Sequence, residues 1–158
     1  MRSEVKALLL CEGRILLNRC RGKDGAFYYT LPGGGQNPFE PMEEALVREV
    51  REETGYRIRA GRLAAVAEEI SENPEERTAF PEYAHRIHHI FLAERLPTAA
   101  ETPSEPDSGQ EGSEWIPVEQ AGRLPLWPMQ LRRRLEEILQ APGAQFLKGV
   151  TQEDQHEN

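Results

Sequence analysis

Short apolar runs, each broken by glycine or proline, set the pattern of the first part of the chain and predict strands. Residues 4–10 and 14–19 form two such runs around Cys11-Glu12-Gly13, which predicts a hairpin turn with Gly13 free to take a positive φ. A loop follows at 20–26. The aromatic and β-branched run Phe27-Tyr28-Tyr29-Thr30-Leu31 predicts a third strand, and Pro32-Gly33-Gly34-Gly35 breaks any regular element. The spacing then changes. Met42, Leu46 and Val50 recur every fourth residue and predict a helix over 41–54, with Pro41 in its first turn and Gly55 as its stop.

Two further strands are expected over 62–70 and 83–95, joined by a polar loop at 71–81 that proline punctuates. Residues 97–113 are rich in Pro, Glu, Ser, Thr and Gly and predict a mobile loop. Order resumes at Trp115-Ile116, and 129–140 predicts an amphipathic helix with Leu131, Leu135, Ile138 and Leu139 on one face. Residues 151–158 carry no apolar anchor. The expected organisation is one domain over 1–147 with a flexible tail over 148–158.

Charge narrows the partners. The chain carries a net charge of −8, which argues against a nucleic-acid polymer or an anionic membrane as partner, because both are bound by basic surfaces. Any phosphate-bearing ligand therefore needs something cationic to reconcile it with the protein. The early apolar stretch at 7–11 is too short to span a bilayer or to serve as a signal core, so the cytoplasm is the expected location. Cys11 and Cys20 are read as reduced structural thiols, with no zinc-type grouping around them. On the strand at 83–95, His85 and His89 share one face and His88 takes the other. That alternation suits structural or substrate-facing histidines better than a single zinc site.

The candidate chemistry lies between residues 34 and 56. Six glutamates (Glu40, Glu43, Glu44, Glu49, Glu52 and Glu53) are opposed there by Arg48 and Arg51. On a helix, Glu49, Glu52 and Glu53 fall at i, i+3 and i+4, so their carboxylates share one face beside the apolar stripe. A solvated acidic face is the bland reading. Against it, the Glu49–Glu53 repulsion lacks enough local positive charge, and a glycine-rich turn with exposed backbone groups sits directly upstream. Hard oxygens clustered in this way suit Mg²⁺ or Mn²⁺.

The same stretch resembles the box of the Nudix hydrolase family. The pattern's fixed positions are Gly34, Glu40, Arg48, Glu49, Glu52, Glu53 and Gly55, with apolar residues at Val50 and Tyr56. All of the fixed positions agree, and chance agreement is on the order of 10⁻⁸ to 10⁻⁹ per starting point. Tyr56 stands where an aliphatic residue is more usual. The preceding Leu31-Pro32-Gly33 resembles the family's lead-in, and the strand order with Trp115 and the final helix extends the likeness across most of the chain.

The resemblance implies an α+β Nudix fold, a mixed β-sheet sandwiched between helices in α/β/α layers. It also implies an Mg²⁺-dependent hydrolase (Mn²⁺ as a substitute) that cleaves a phosphoanhydride bond in a small-molecule nucleoside-diphosphate-type substrate, with a homodimer as one option. Carried over by position, Glu49, Glu52, Glu53 and the Gly33 carbonyl would bind metal, and Arg48 would orient Glu49. Gly34 and Glu40 would support the site. Glu49 is one candidate base; an acid in the loop before Trp115, with Glu111 the choice over Glu114, is another. Arg19, Arg21 and Tyr28 are the expected substrate contacts.

Substrate identity is less determined. A proline at a set distance beyond the box marks many ADP-ribose pyrophosphatases, and Pro74 falls near that place without matching it. No amino-terminal dimerisation domain of the kind found in many larger ADP-ribose enzymes is evident. The expectation therefore leans to a nucleoside triphosphate or a modified nucleotide. The alternatives are an ADP-ribose or nucleotide-sugar pyrophosphatase and a non-catalytic Nudix-fold nucleotide sensor. Such sensors commonly lose box acids, and this chain keeps them.

Overall fold

The computed structural model describes residues 1–150, with side chains as far as 147. Of the tail expected at 148–158, residues 151–158 lie outside the described residues. Among the described residues, the strands are β1 (Arg2–Cys11), β2 (Arg14–Arg21), β3 (Phe27–Thr30), β4 (Gly33–Gly35), β5 (Ile58–Ile70), β6 (His85–Arg95), β7 (Gln110–Pro117), β8 (Leu126–Trp127) and β9 (Gln145–Val150). The helices are α1 (Met42–Thr54), α2 (Pro74–Ala79), α3 (Pro81–Ala84), α4 (Val118–Ala121) and α5 (Gln130–Gln140). The main sheet runs β8-β3-β2-β1-β6-β5-β9, with β4 paired to β1 and β7 paired to β2.

Alternation along the strands explains the layers. Val5, Ala7 and Leu9 of β1 face a core closed by Ala45, Leu46 and Val50 of α1. Leu8, with Ile15 and Leu17 of β2, faces a second core closed by Leu131, Leu135 and Ile138 of α5. A strand apolar on both sides needs a cover on both sides, and the two amphipathic helices supply it. The expected mixed sheet between helices is therefore observed: β1 and β6 run parallel, while β1–β2 and β5–β6 are antiparallel.

The hairpin closes through Glu12 (φ 51) and Gly13 (φ 74), two consecutive left-handed residues, as tight hairpin turns require. Only Leu10↔Ile15 and Cys11↔Arg14 then pair between β1 and β2. Beyond that point β2 peels away to β3 and β7, and the vacated edge of β1 pairs with β4 at Glu4↔Gly35, Val5↔Gly34 and Lys6↔Gly33. The resulting fork brings an asparagine of β2, a lysine of β1 and a glycine turn together beside the end of α1.

Several boundaries move. The strand expected at 62–70 begins at Ile58, with register shifts around Leu63, and the one expected at 83–95 begins at His85 because Pro81–Ala84 forms a helical turn. Strand β9 pairs parallel with β5 and crosses residue 147, where the domain was expected to end. The largest correction concerns 97–113, expected as a mobile loop. Its second part is strand β7, and its first part is fastened to α1: Glu101 N–H donates to Gly55 O at 2.8 Å, and the Ser104 and Glu105 amides both donate to Glu52 O at 3.0 Å. The last carbonyls of a helix lack intrahelical donors, and here the loop supplies them.

Tyr56, the unusual box residue, is placed by its ring. Its hydroxyl accepts from Trp115 Nε1 at 3.1 Å, the two rings meet edge to face at 5.6 Å, and the Arg95 guanidinium lies over it. Tyr56→Phe is expected to cost about 1 kcal/mol, read as a lower urea midpoint with unchanged slope. A shift of less than a few tenths of a kcal/mol would mean that the hydroxyl is already satisfied by solvent.

Candidate active site

Helix α1 ends in a left-handed Gly55 (φ 76) whose amide donates to Arg51 O, so its last turn is held rigidly where the acids emerge. Glu53 is 4% exposed. Its Oε2 accepts from Asn18 Nδ2 at 2.8 Å and from the Gly33 amide at 2.9 Å. Burial dominates its titration and pushes the carboxyl up to about 7, although Lys6 and these donors pull the other way. Both bonds fall on one oxygen, Oε2, and Glu53 is among the residues that line the cavity described below.

Glu49 lies against the glycine turn. A Cβ at position 34 would sit 2.5 Å from its Oε2, so Gly34 makes the room that the carboxylate occupies. Burial again raises this acid, opposed by Arg48. Arg48 is the hub of the group. It donates to Glu40 through Nε at 2.7 Å and Nη2 at 2.9 Å, to Glu49 at 2.9 Å, to Glu52 at 3.1 Å and to Gly35 O at 3.0 Å. The paired bonds from Arg48, joined by the Asn37 amide, hold Glu40 down to about 2. Glu40 is thus tied to the turn and to Arg48, while Glu49, Glu52 and Glu53 line a cavity of about 460 Å³.

The other expected contacts separate. Tyr28 lines a neighbouring cleft of about 530 Å³ together with Lys6, Gly33, Gly34, Tyr83 and Trp127. Arg19 and Arg21 instead stack on Phe27, at 3.7 and 4.1 Å from its ring centre, and pair with Glu114 and Glu111. They line neither cavity. Glu111 also lies away from the acids, exposed and bonded to Arg21 at 2.6 Å. The loop acids that do line the acid cavity are Glu105 and Asp107. Glu111 is displaced because β7 already begins at Gln110, so residues 111 and 114 belong to a strand while 105–108 lie in the loop that lines the cavity.

Besides the loop acids Glu105 and Asp107, four polar residues join the site that sequence reasoning does not single out. Asn18 anchors Glu53 and accepts from Ser113 Oγ at 2.8 Å; Gln110 Nε2 donates both to Ser113 and to the Glu53 carbonyl. Lys6 Nζ donates to Gly33 O at 2.9 Å, so the expected metal-binding carbonyl carries an ammonium partner here. Asn18 and Lys6 are buried polar residues inside apolar strands, which was the available signal.

The histidines behave as structural or cleft groups. His85 bonds Glu68 at 2.9 Å, and His89 Nδ1 lies 3.2 Å from Glu4 O. His88 sits between two acids, Nε2 at 3.0 Å from Glu69 and Nδ1 at 3.3 Å from Glu4 but off the hydrogen-bond axis. Burial alone would lower its pKa, yet the two carboxylates outweigh it and raise it. Glu69 also pairs with Arg86.

A curled mixed sheet clasped between two helices, with an acidic helix end over a glycine turn, defines the Nudix hydrolase class. The profile of the NUDIX domain matches residues 2–139, and the chain belongs to the Nudix hydrolase family. Among curated relatives it is 42% identical over 59 residues to the protein called nucleoside triphosphatase NudI from Enterobacter sp. (strain 638). That match spans 36% of this chain and 42% of the relative, less than half the length of each. A MutT protein from Methanosarcina mazei Go1 is similar in structure, with TM-score 0.64 and 25% identity, covering 87% of this chain and 91% of that one. An ADP-ribose pyrophosphatase from Streptococcus suis 89-1591 shares the fold at TM-score 0.61 and 20% identity, covering 92% and 98%. No helix among the described residues is long and apolar enough to cross a membrane.

Proposed function

We propose that this protein is a divalent-metal-dependent pyrophosphohydrolase that cleaves a phosphoanhydride bond in a nucleoside triphosphate or modified nucleotide. The observation that carries this reading is the convergence of three box carboxylates and two loop acids on one cavity beside an aromatic cleft. The partial match to a relative called nucleoside triphosphatase, 42% identity over 59 residues, supports the triphosphate class.

The donors suit a hard cation: carboxylate oxygens from Glu49, Glu52 and Glu53, and the Gly33 carbonyl. Two of these acids are raised by burial, as expected where buried like charges lack full compensation. Among the described residues, no three of His, Cys, Asp and Glu stand close enough to form a ready-made metal cluster. Arg48 holds Glu49 and Glu52, and Asn18 holds Glu53, so loading draws on carboxylates that already have partners. When bound, Mg²⁺ or Mn²⁺ would neutralise the diphosphate, acidify a water and align its attack.

The chain's own residues do the rest. Glu49, oriented by Arg48, accepts the proton of the attacking water. Asp107 is the loop acid in place of Glu111, because it borders both cavities. Tyr28 and Trp127 flank the nucleoside in the cleft, and Lys6 presents a fixed positive charge beside Gly33.

The test is product release from a panel of nucleoside triphosphates, modified nucleotides, ADP-ribose and nucleotide sugars, with and without Mg²⁺. Metal-dependent release of pyrophosphate and a nucleoside monophosphate from triphosphates is the expected result. Cleavage of ADP-ribose alone would replace the substrate class. Tight nucleotide binding with no turnover of any compound would favour a sensor.

A further inference from the structure

We infer that Glu101 is a positioning residue for the reaction, the buckle that fastens residues 101–109 across the end of α1 and so sets Asp107 and Ser108 in the wall between the two cavities. The inference rests on the pyrophosphohydrolase reading above. The Glu101 carboxylate is shared by two arginines from separate parts of the chain. It accepts from Arg51 Nε at 2.8 Å, on the last turn of α1, and from Arg57 Nη2 at 2.8 Å, just before β5. Its amide donates to Gly55 O, and its carbonyl lies 1.7 Å from where a Cβ at position 55 would stand. Gly55 therefore ends the helix and also admits the strap.

The downstream end is tied as well. Asp107 N–H donates to Gln110 Oε1 at 2.8 Å, Gln110 Nε2 reaches the Glu53 carbonyl, and Arg21 N–H donates to Gly109 O at 2.9 Å. Asp107 and Ser108 consequently border both the acid cavity and the Tyr28–Trp127 cleft. The arrangement runs against charge, because Glu105 and Asp107 are brought over Glu52 and Glu53. An acidic segment does not rest on an acidic helix end unless other bonds hold it there. At its upstream end Glu101, between two cations, and the amides on Glu52 O supply such bonds. Exposed ion pairs are weak enough that losing one frees a loop without unfolding a domain.

The experiment compares the full chain with Glu101→Ala and Glu101→Gln, using amide hydrogen exchange, thermal melting, and kcat and KM with Mg²⁺ on the best panel substrate. For Glu101→Ala, the Ser104 and Glu105 amides are expected to exchange at least about tenfold faster, with α1 interior amides unchanged. The value of kcat falls by at least about tenfold with the melting temperature moved by less than about 2 °C, which separates positioning from stability. Glu101→Gln keeps an acceptor for the arginines and recovers part of both losses. Unchanged exchange in Glu101→Ala overturns the buckle; faster exchange with wild-type kcat and KM overturns its role in the reaction. If the wild-type chain hydrolyses nothing on the panel, the reading of function fails instead, and the exchange result alone decides whether Glu101 fastens the strap.

Discussion

Glu53→Gln is expected to lower turnover by at least about 10²-fold and, in metal-free protein, to raise stability at pH 8. The two effects share one cause. Glu53 is buried, and its carboxyl is pushed up to about 7 from an ordinary 4.5. Between those values the folded protein keeps a proton that the unfolded chain has released. The stability tied to this group is therefore fully present below about pH 4.5 and is lost as pH rises through about 7. At pH 8 the charged form burdens the fold by on the order of 3 kcal/mol. Glutamine retains an acceptor oxygen for Asn18 and Gly33 but carries no charge, so that burden disappears along with the anionic ligand. Melting curves in EDTA at pH 4.5 and pH 8 should show the variant's advantage only at the higher pH. Near-wild-type turnover in a folded variant would falsify the ligand role, and equal stability at both pH values would remove the electrostatic account.

Gly33→Ala should be the most damaging small substitution in the glycine turn. At φ 137, an added Cβ would lie 2.0 Å from Val5 O and 2.9 Å from Lys6 Cα. Those are backbone atoms of the paired β1 strand, so relief requires opening the β1–β4 ladder that carries the turn. A loss of more than about 3 kcal/mol is expected, read from the urea midpoint. Activity falls with it, since the Gly33 amide holds Glu53 and the Gly33 carbonyl is a proposed ligand. Gly13→Ala is the control. It also has a positive φ but meets nothing within 4 Å, so it should cost only about 1 kcal/mol. Equal losses at the two positions would show that backbone conformation, and not close packing, governs both.

The contrast between Glu111 and Asp107 shows where sequence reasoning stops. Proximity to Trp115 along the chain favours residues 111 and 114, but strand pairing with β2 begins at Gln110 and carries both acids into β7. Arg19 and Arg21 were plausible phosphate contacts as isolated cations. In the fold Phe27 lies beneath both, and neither faces the cavities. The segment at 97–113 has the composition of a mobile loop, yet its amides find acceptors in the unfilled carbonyls at the end of α1. None of these outcomes is coded within a window of neighbouring residues.

What the sequence determined by itself is local and periodic. The helical spacing of Met42, Leu46 and Val50 specified α1 and which of its faces would be buried, and the same period brought Glu49, Glu52 and Glu53 to its edge. The box spacing identified the family from those residues alone. Tertiary structure decided what the acids meet: Asn18, Lys6, Gln110 and Ser113 come from distant strands. It also made a strand of Gly33–Gly35, which has no strand propensity but pairs where β2 leaves β1. The physical reason is the same in each case. Helical period is written in neighbouring residues, whereas a buried carboxylate's partners depend on which strands the folded sheet places side by side.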